Sequence, residues 1–257
     1  MRRREFIAGA AGTVVGLAGI NAMAAGSEQG RQEYYELRRY QTLAWPKHNL
    51  ISDFLRDTGI SAMNRIGIGP VGVFTVMYGQ NEPSLYVLAV HKSLESVATS
   101  AARLLEDEEY RKSSFANTPM SEPMYARYDS TLMAAFKGLP QLVVPEKKTR
   151  IFELRIYESH NIKASKKKVE MFNEGGEIEV FKKTGLKPVF FGETIVGPRQ
   201  PNLHYMLVHE DMADRDKNWS VFIASPEWKS LSGNPEYKDT VSNITDIILR
   251  PTDYSQI

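Results

Sequence analysis

Tyr35-Glu36-Leu37-Arg38-Arg39-Tyr40 and Phe152-Glu153-Leu154-Arg155-Ile156-Tyr157 follow one pattern: an aromatic residue, Glu, Leu, Arg, a variable position and Tyr. Downstream of each copy come a Gly-Pro or Lys-Pro step (Gly69-Pro70, Lys187-Pro188), an apolar stretch, and a second apolar stretch ending in Val-His (Val90-His91, Val208-His209). Whole units recur, so the 257 residues divide into two similar halves that share a core.

In an extended strand, alternate side chains point to opposite faces. Glu36, Arg38 and Tyr40 then share one face, as do Glu153, Arg155 and Tyr157. Tyr35 and Leu37, and in the second copy Phe152, Leu154 and Ile156, make the other, apolar face. The expectation is that helices cover the apolar face, leaving the Glu/Arg/Tyr face to solvent or to an enclosed cavity. An acid, a guanidinium and a phenol around a cavity would orient an anionic or phenolic ligand. The plainer alternative is an ion pair that braces the sheet.

The flanking segments fill in each unit. Pro46 suits the first turn of a helix that places Leu50, Phe54 and Leu55 on one side, and its counterpart runs over residues 162–184 with an interruption at Gly175-Gly176. Strands are expected at 71–78 and 85–91, joined by a turn-rich hairpin connection, and again at 188–196 and 203–209. The run Leu85 to Val90 is apolar at every position, which indicates a strand covered on both faces. Helices follow at 93–105 and 214–224, and closing strands at about 130–136 and 244–249. Met133, Ala134 and Ala135 suit a helix equally well; the repeat decides for strand.

Each half thus reads strand, helix, strand, strand, helix, strand, the ferredoxin-like split βαβ arrangement. The predicted fold is α+β: two tandem ferredoxin-like repeats, 33–140 and 148–257, with antiparallel sheets packed face to face around a barrel-like space.

Residues 1–25 read as an address. Arg3-Arg4-Glu5-Phe6-Ile7, an apolar Gly/Ala-rich run to Ile20 and Ala22-Met23-Ala24 look like a cleavable twin-arginine export signal. The run is short for a membrane span, and an uncleaved anchor is the alternative reading. Cleavage would remove three Arg and one Glu and leave no stable membrane insertion. The absence of cysteine fits a protein exported already folded, and it excludes a lipid-anchored cysteine at the cleavage site.

The balance of 32 basic against 31 acidic residues argues against a nucleic-acid partner. Lys163, Lys166, Lys167 and Lys168 form the one basic run and read as a solvated helix face. Of the histidines, His91 and His209 end matching strands, His204 lies within one, and His48 and His160 lie near helix starts. No pair has zinc-helix spacing and no cysteine is present, so no metal site and no cofactor are expected. A haem, which needs only one proximal imidazole, is the exception to keep in view. Neither Gly-x-Ser-x-Gly nor a phosphate loop occurs; Gly67-Ile68-Gly69-Pro70 lacks a third glycine and precedes a strand.

The tandem Glu-Leu-Arg-x-Tyr strands, Ser225-Pro226-Glu227-Trp228 after the later helix, and the closing Leu249-Arg250-Pro251-Thr252-Asp253-Tyr254-Ser255 together resemble the NIPSNAP family, within the wider group of dimeric α/β-barrel proteins. The resemblance runs from about residue 33 onward. It implies the barrel fold and no settled activity, because no catalytic motif of the family transfers residue by residue. Relatives in the wider group include cofactor-free monooxygenases and haem enzymes, so the fold can hold a ligand. The first half has Glu109-Tyr110 where the second has Glu227-Trp228, and Phe136-Lys137 where the second has Leu249-Arg250, which makes the second half the better candidate for a working pocket.

The expected function is binding of a small organic ligand or a protein partner in or beside the space between the sheets. Candidate binding residues are Glu36, Arg38, Tyr40, Glu153, Arg155 and Tyr157, joined by His209 and Trp228 of the second half. A cofactor-free oxygenase or isomerase-like enzyme using Glu153, Arg155 and Tyr157 is the rival. A homo-oligomer through exposed sheet edges stays open.

Overall fold

The computed structural model describes residues 32–42, 45–79 and 83–257; the export signal read at 1–25 lies outside the described residues. Each half supplies four strands. The first gives β1 (Tyr34–Gln41), β2 (Val71–Tyr78), β3 (Ser84–His91) and β4 (Arg127–Ala135). The second gives β5 (Ile151–Glu158), β6 (Lys187–Val196), β7 (Asn202–His209) and β8 (Asn243–Pro251). All pairings are antiparallel, and the order β1-β3-β2-β8-β5-β7-β6-β4 closes on itself through the β1–β4 pair.

Closure corrects the expectation of two sheets packed face to face. The halves join at their edges, β2 to β8 and β4 to β6, with a register shift at each seam. The physical reason is the open edge: four strands alone would leave rows of unpaired backbone groups on β2 and β4, and pairing each with an edge of the other half removes both. The exposed sheet edges invoked for an oligomer are therefore absent from this barrel. β4 is a strand, as the repeat requires, and β3 is buried along its whole length.

Helices form an outer layer over each half. α1 (Trp45–Phe54) continues through a π-helical turn (Leu55–Gly59) into α2 (Ile60–Arg65), and α3 (Leu94–Glu106) and α4 (Glu108–Lys112) complete the first half. α5 (Ile162–Asn173), α6 (Glu177–Lys183), α7 (Met212–Ala224) and α8 (Pro226–Gly233) cover the second. The α5–α6 break falls at Gly175-Gly176, where the first half has its π-helical turn. Gly176 sits in the left-handed region at φ 84°, which a side chain would strain, and a Cβ on Gly175 would lie 2.5 Å from the Met171 carbonyl oxygen. Ser93, Asn161, Asp211 and Ser225 cap α3, α5, α7 and α8 by accepting from backbone N–H groups.

The faces of β1 and β5 are reversed from the sequence expectation. Tyr35, Leu37, Phe152 and Leu154 point inward and pack with Phe74, Met206 and Leu249 in the barrel core. Tyr40 instead packs with Ile51, Leu55 and Ile60 under the first helical layer, and Tyr157 with Phe172, Phe181 and Tyr205 under the second. An eight-stranded barrel has an interior just wide enough for side chains to fill, and the continuous apolar face fills it. The Glu/Arg/Tyr faces therefore lie beneath the helices.

Candidate functional site

Under α7, Glu153 is fully buried and both carboxylate oxygens are used. Oε1 accepts from Arg215 at 2.7 Å and from Arg155 at 3.1 Å; Oε2 accepts from Trp219 Nε1 at 2.7 Å and lies 3.0 Å from His209 Nε2. An ionised carboxylate only accepts, so His209 Nε2 carries a proton. Arg215 also reaches Asp246 on β8 at 2.8 Å, and the Arg155 guanidinium stacks 4.6 Å from the Trp219 ring centre. Burial alone would raise the Glu153 carboxyl, but the hydrogen bonds from His209, Trp219 and Arg215 and the charge of Arg155 bring it down to about 2. Burial and the charge of Glu153 push Asp246 the other way, up to about 6.

The first-half counterpart is simpler. Arg38 forks onto Glu36 at 2.8 and 2.7 Å, and Ser130 donates to Glu36 at 2.7 Å. His91 Nε2 stands 3.6 Å away, too far for a hydrogen bond. Burial opposes ionisation of Glu36, while the Arg38 fork and Ser130 hold its carboxyl well below the usual range. Val97 and Ala101 take the places on α3 that Arg215 and Trp219 hold on α7.

A second buried pair lies beside the Glu153 network. Lys168 and Glu177 meet at 2.7 Å, both almost wholly buried, with the ammonium 4.5 Å from the Phe172 ring centre and 5.8 Å from that of Trp228. The basic run read as a solvated face thus splits: Lys163 and Lys166 are exposed, and Lys168 turns inward because its position on α5 faces the barrel wall. Tyr205 donates to Tyr157 at 2.8 Å, and Trp228 packs on Phe222 at 4.5 Å. The structure brings Glu153, Arg155, Tyr157 and His209 together with Trp228 at their margin, but as a filled layer. Glu36, Arg38 and Tyr40 lie in the other half.

The space a ligand could enter is at one mouth of the barrel, on the opposite strand faces. A cavity of about 290 Å³ is lined by Leu37, Arg39, Tyr86, Thr131, Arg199 and His204, among others. Arg39 Nε donates to Asp129 at 3.1 Å. Thr194 Oγ1 gives its proton to Asn202 Oδ1 at 2.5 Å, so at 3.2 Å from His204 Nδ1 it acts as an acceptor. Burial, with the charge of Arg199 adding, drives His204 down to about 3, so the ring is neutral at pH 7. Its proton then sits on Nδ1 and Nε2 is left as an acceptor. Burial pushes the Tyr86 phenol up, so it stays a donor.

Of these residues the sequence singles out His204, as a histidine within a strand, and Leu37, on the apolar face of β1. The signal that could have found the role of His204 is its parity: Met206 and Val208, two and four residues on, face the barrel core. The contributions of Arg215, Trp219 and Asp246 were missed because they come from elements distant in sequence. Among the described residues no group of His, Cys, Asp and Glu suits a metal ion, and no helix is long and apolar enough to cross a membrane.

A family model described as NIPSNAP matches residues 35–137 and 152–256, one copy in each half. No curated protein matches the chain. Among solved structures, a suspected monooxygenase from Lactobacillus acidophilus superposes with a TM-score of 0.56 at 10% identity, over 86% of this chain and 94% of that one. A second, from Fusobacterium nucleatum, gives 0.56 at 9% identity, over 86% and 92%. An anthrone oxidase-like protein gives 0.51 at 9% identity, over 86% and 92%. Likeness at such identities is likeness of fold.

Proposed function

This chain belongs to the NIPSNAP family through both of its halves, and from that premise we propose that it binds a small planar organic molecule in the mouth of its barrel. The observation that carries this reading is the His204 cavity. It sets the His204 Nε2 acceptor and the Arg39–Asp129 pair beside donors from Tyr86 and Arg199, over a floor that includes Leu37. Such a set suits a flat molecule bearing a hydroxyl and a carbonyl or phenolate oxygen. A volume of about 290 Å³ lies near the lower end of ordinary ligand cavities, so the ligand is small.

Binding is favoured over oxygenase chemistry by proton affinity. Cofactor-free oxygenation starts by removing a proton from a phenol or its keto tautomer. Burial holds the His204 ring neutral, near 3 against about 10 for a phenol, which makes it a poor base for that step. His204 accepts a hydrogen bond there and takes no proton.

The probe is anthrone, suggested by the name of one structural neighbour. Saturable binding by the wild type and its loss in Thr131→Trp, which places an indole in the cavity, is the expected result of a fluorescence titration. Equal binding by both proteins would move the ligand elsewhere. Oxygen consumption with anthrone, abolished in the same variant, would instead favour the enzyme.

We read each half as a ferredoxin-like unit, 33–140 and 148–257, a reading supported by the strand orders β4-β1-β3-β2 and β8-β5-β7-β6. We also place the protein outside the cytoplasm, exported by a twin-arginine leader over 1–25, on the strength of Arg3-Arg4-Glu5-Phe6-Ile7 and the lack of cysteine. Changing Arg3 and Arg4 together to Lys is expected to hold the precursor inside the cell. An unchanged periplasmic fraction would sink that placement.

A further inference from the structure

The opposite mouth of the barrel carries a different chemistry. Here the segment linking the halves crosses the opening: Leu142 packs on the core, its N–H donates to Glu33 at 2.8 Å, and Val143 N–H donates to the Val189 carbonyl at 2.9 Å. Arg150 stands just before β5, two residues from the inward-facing Phe152. It lines two adjoining cavities, of about 760 and 440 Å³.

Most partly buried arginines in this chain are paired: Arg38, Arg39, Arg155 and Arg215 all hold carboxylates. Arg150 makes no ion pair with a described residue. Its Nη1 donates to the Lys148 carbonyl at 3.0 Å, its Nε is buried without a partner, and the guanidinium lies 5.6 Å from the Phe152 ring centre. Glu210, the carboxylate next along, is taken by Lys148 at 2.9 Å. A partly buried guanidinium whose Nε is shut from water without a partner is an incomplete arrangement, because an unmet buried donor carries a desolvation cost that an anion on the fork would help relieve.

The wall beside it is apolar. Val143 and Val144 are each 47% exposed, an unusual state for neighbouring valines, and Pro188 and Val208 complete that side of the smaller cavity. Its charged lining is Lys148, Arg150 and Lys187 against Glu146 and Glu210, a net positive set.

We infer that this mouth is a second binding site, independent of the His204 cavity, which takes a medium-chain carboxylate with its head on Arg150 and its tail along Val143, Val144, Pro188 and Val208. A carboxylate matches the fork of a guanidinium in two parallel hydrogen bonds. A tail lying on the valine wall removes from water a surface that the fold leaves open.

Decanoate is the probe, titrated calorimetrically into the full chain, with acetate supplying the head alone and decanol the tail alone. Decanoate should bind well below about 1 mM, and Arg150→Gln should weaken it by about tenfold or more. Arg150→Lys should recover part of that loss, and Val144→Glu should also weaken binding. Decanol should bind the wild type and Arg150→Gln alike. Anthrone binding at the other mouth should be the same in Arg150→Gln as in the wild type, which certifies folding and keeps the two sites apart. Decanoate binding unchanged in Arg150→Gln, or absent from the wild type at about 1 mM, overturns the proposal.

Discussion

Glu153→Gln is expected to lower the free energy of unfolding by about 3–5 kcal/mol, read as a fall in the urea midpoint at unchanged slope. The carboxylate is fully buried and meets four donors, two of them guanidinium groups. Glutamine keeps the shape but supplies one oxygen and turns an N–H₂ towards donors. Arg155 and Arg215 are then left sharing Asp246 at the rim. Glu36→Gln should cost less, about 1.5–3 kcal/mol, because only Arg38 and Ser130 depend on it for hydrogen bonds. The pH dependence has a definite sign. Glu153 is lowered to about 2 in the folded state, so its contribution is present above its ordinary value near 4.5 and is lost as pH falls through the folded value. The wild type and Glu153→Gln should therefore converge in acid. Asp246 works in the opposite sense, since its folded value is raised to about 6 and stability falls as pH rises between its ordinary value and that one. If Glu153→Gln unfolds within about 0.5 kcal/mol of the wild type at pH 7, the network is not a brace.

Element order was legible in the sequence because it was written twice. Ambiguous β4, with Met133, Ala134 and Ala135, came out as a strand only because Asn243–Pro251 repeats its place. Which face of β1 and β5 turns inward was not legible. In a barrel wrapped by helices both faces are buried, so alternation marks two classes of side chain without saying which class fills the barrel and which meets helices. The rule that charge faces solvent then misleads, because Arg215, Trp219 and Asp246 arrive from α7 and β8 to neutralise Glu153 and Arg155. The cavity at His204 was hidden for a related reason. Its walls come from six strands and a turn, and each contributes one or two residues that look unremarkable in their own segment.

The two halves also provide a natural substitution experiment at Lys168 and Glu177. Their counterparts under the first helical layer are Ile51 and Ile60, both buried in an apolar cluster. Lys168→Met alone leaves a carboxylate that burial already pushes above its ordinary range, with the start of α6 and the charge of Arg155 as its remaining support, and should cost about 3–5 kcal/mol. The double variant Lys168→Ile with Glu177→Ile copies the first half. It should be as stable as the wild type or more stable by about 1–4 kcal/mol, because two desolvated charges are exchanged for packing the same fold already accommodates. The gain should lie near the lower end, since the ammonium also loses the faces of Phe172, Tyr157 and Trp228. Thermal and urea unfolding of the single and double variants decide the matter together. A single variant as stable as the wild type would mean that water reaches Glu177 readily, and the pair would then be an ordinary surface contact. A double variant as damaged as the single one would mean that the halves differ in packing as well as in charge, and that Ile51 and Ile60 are poor guides to the second layer.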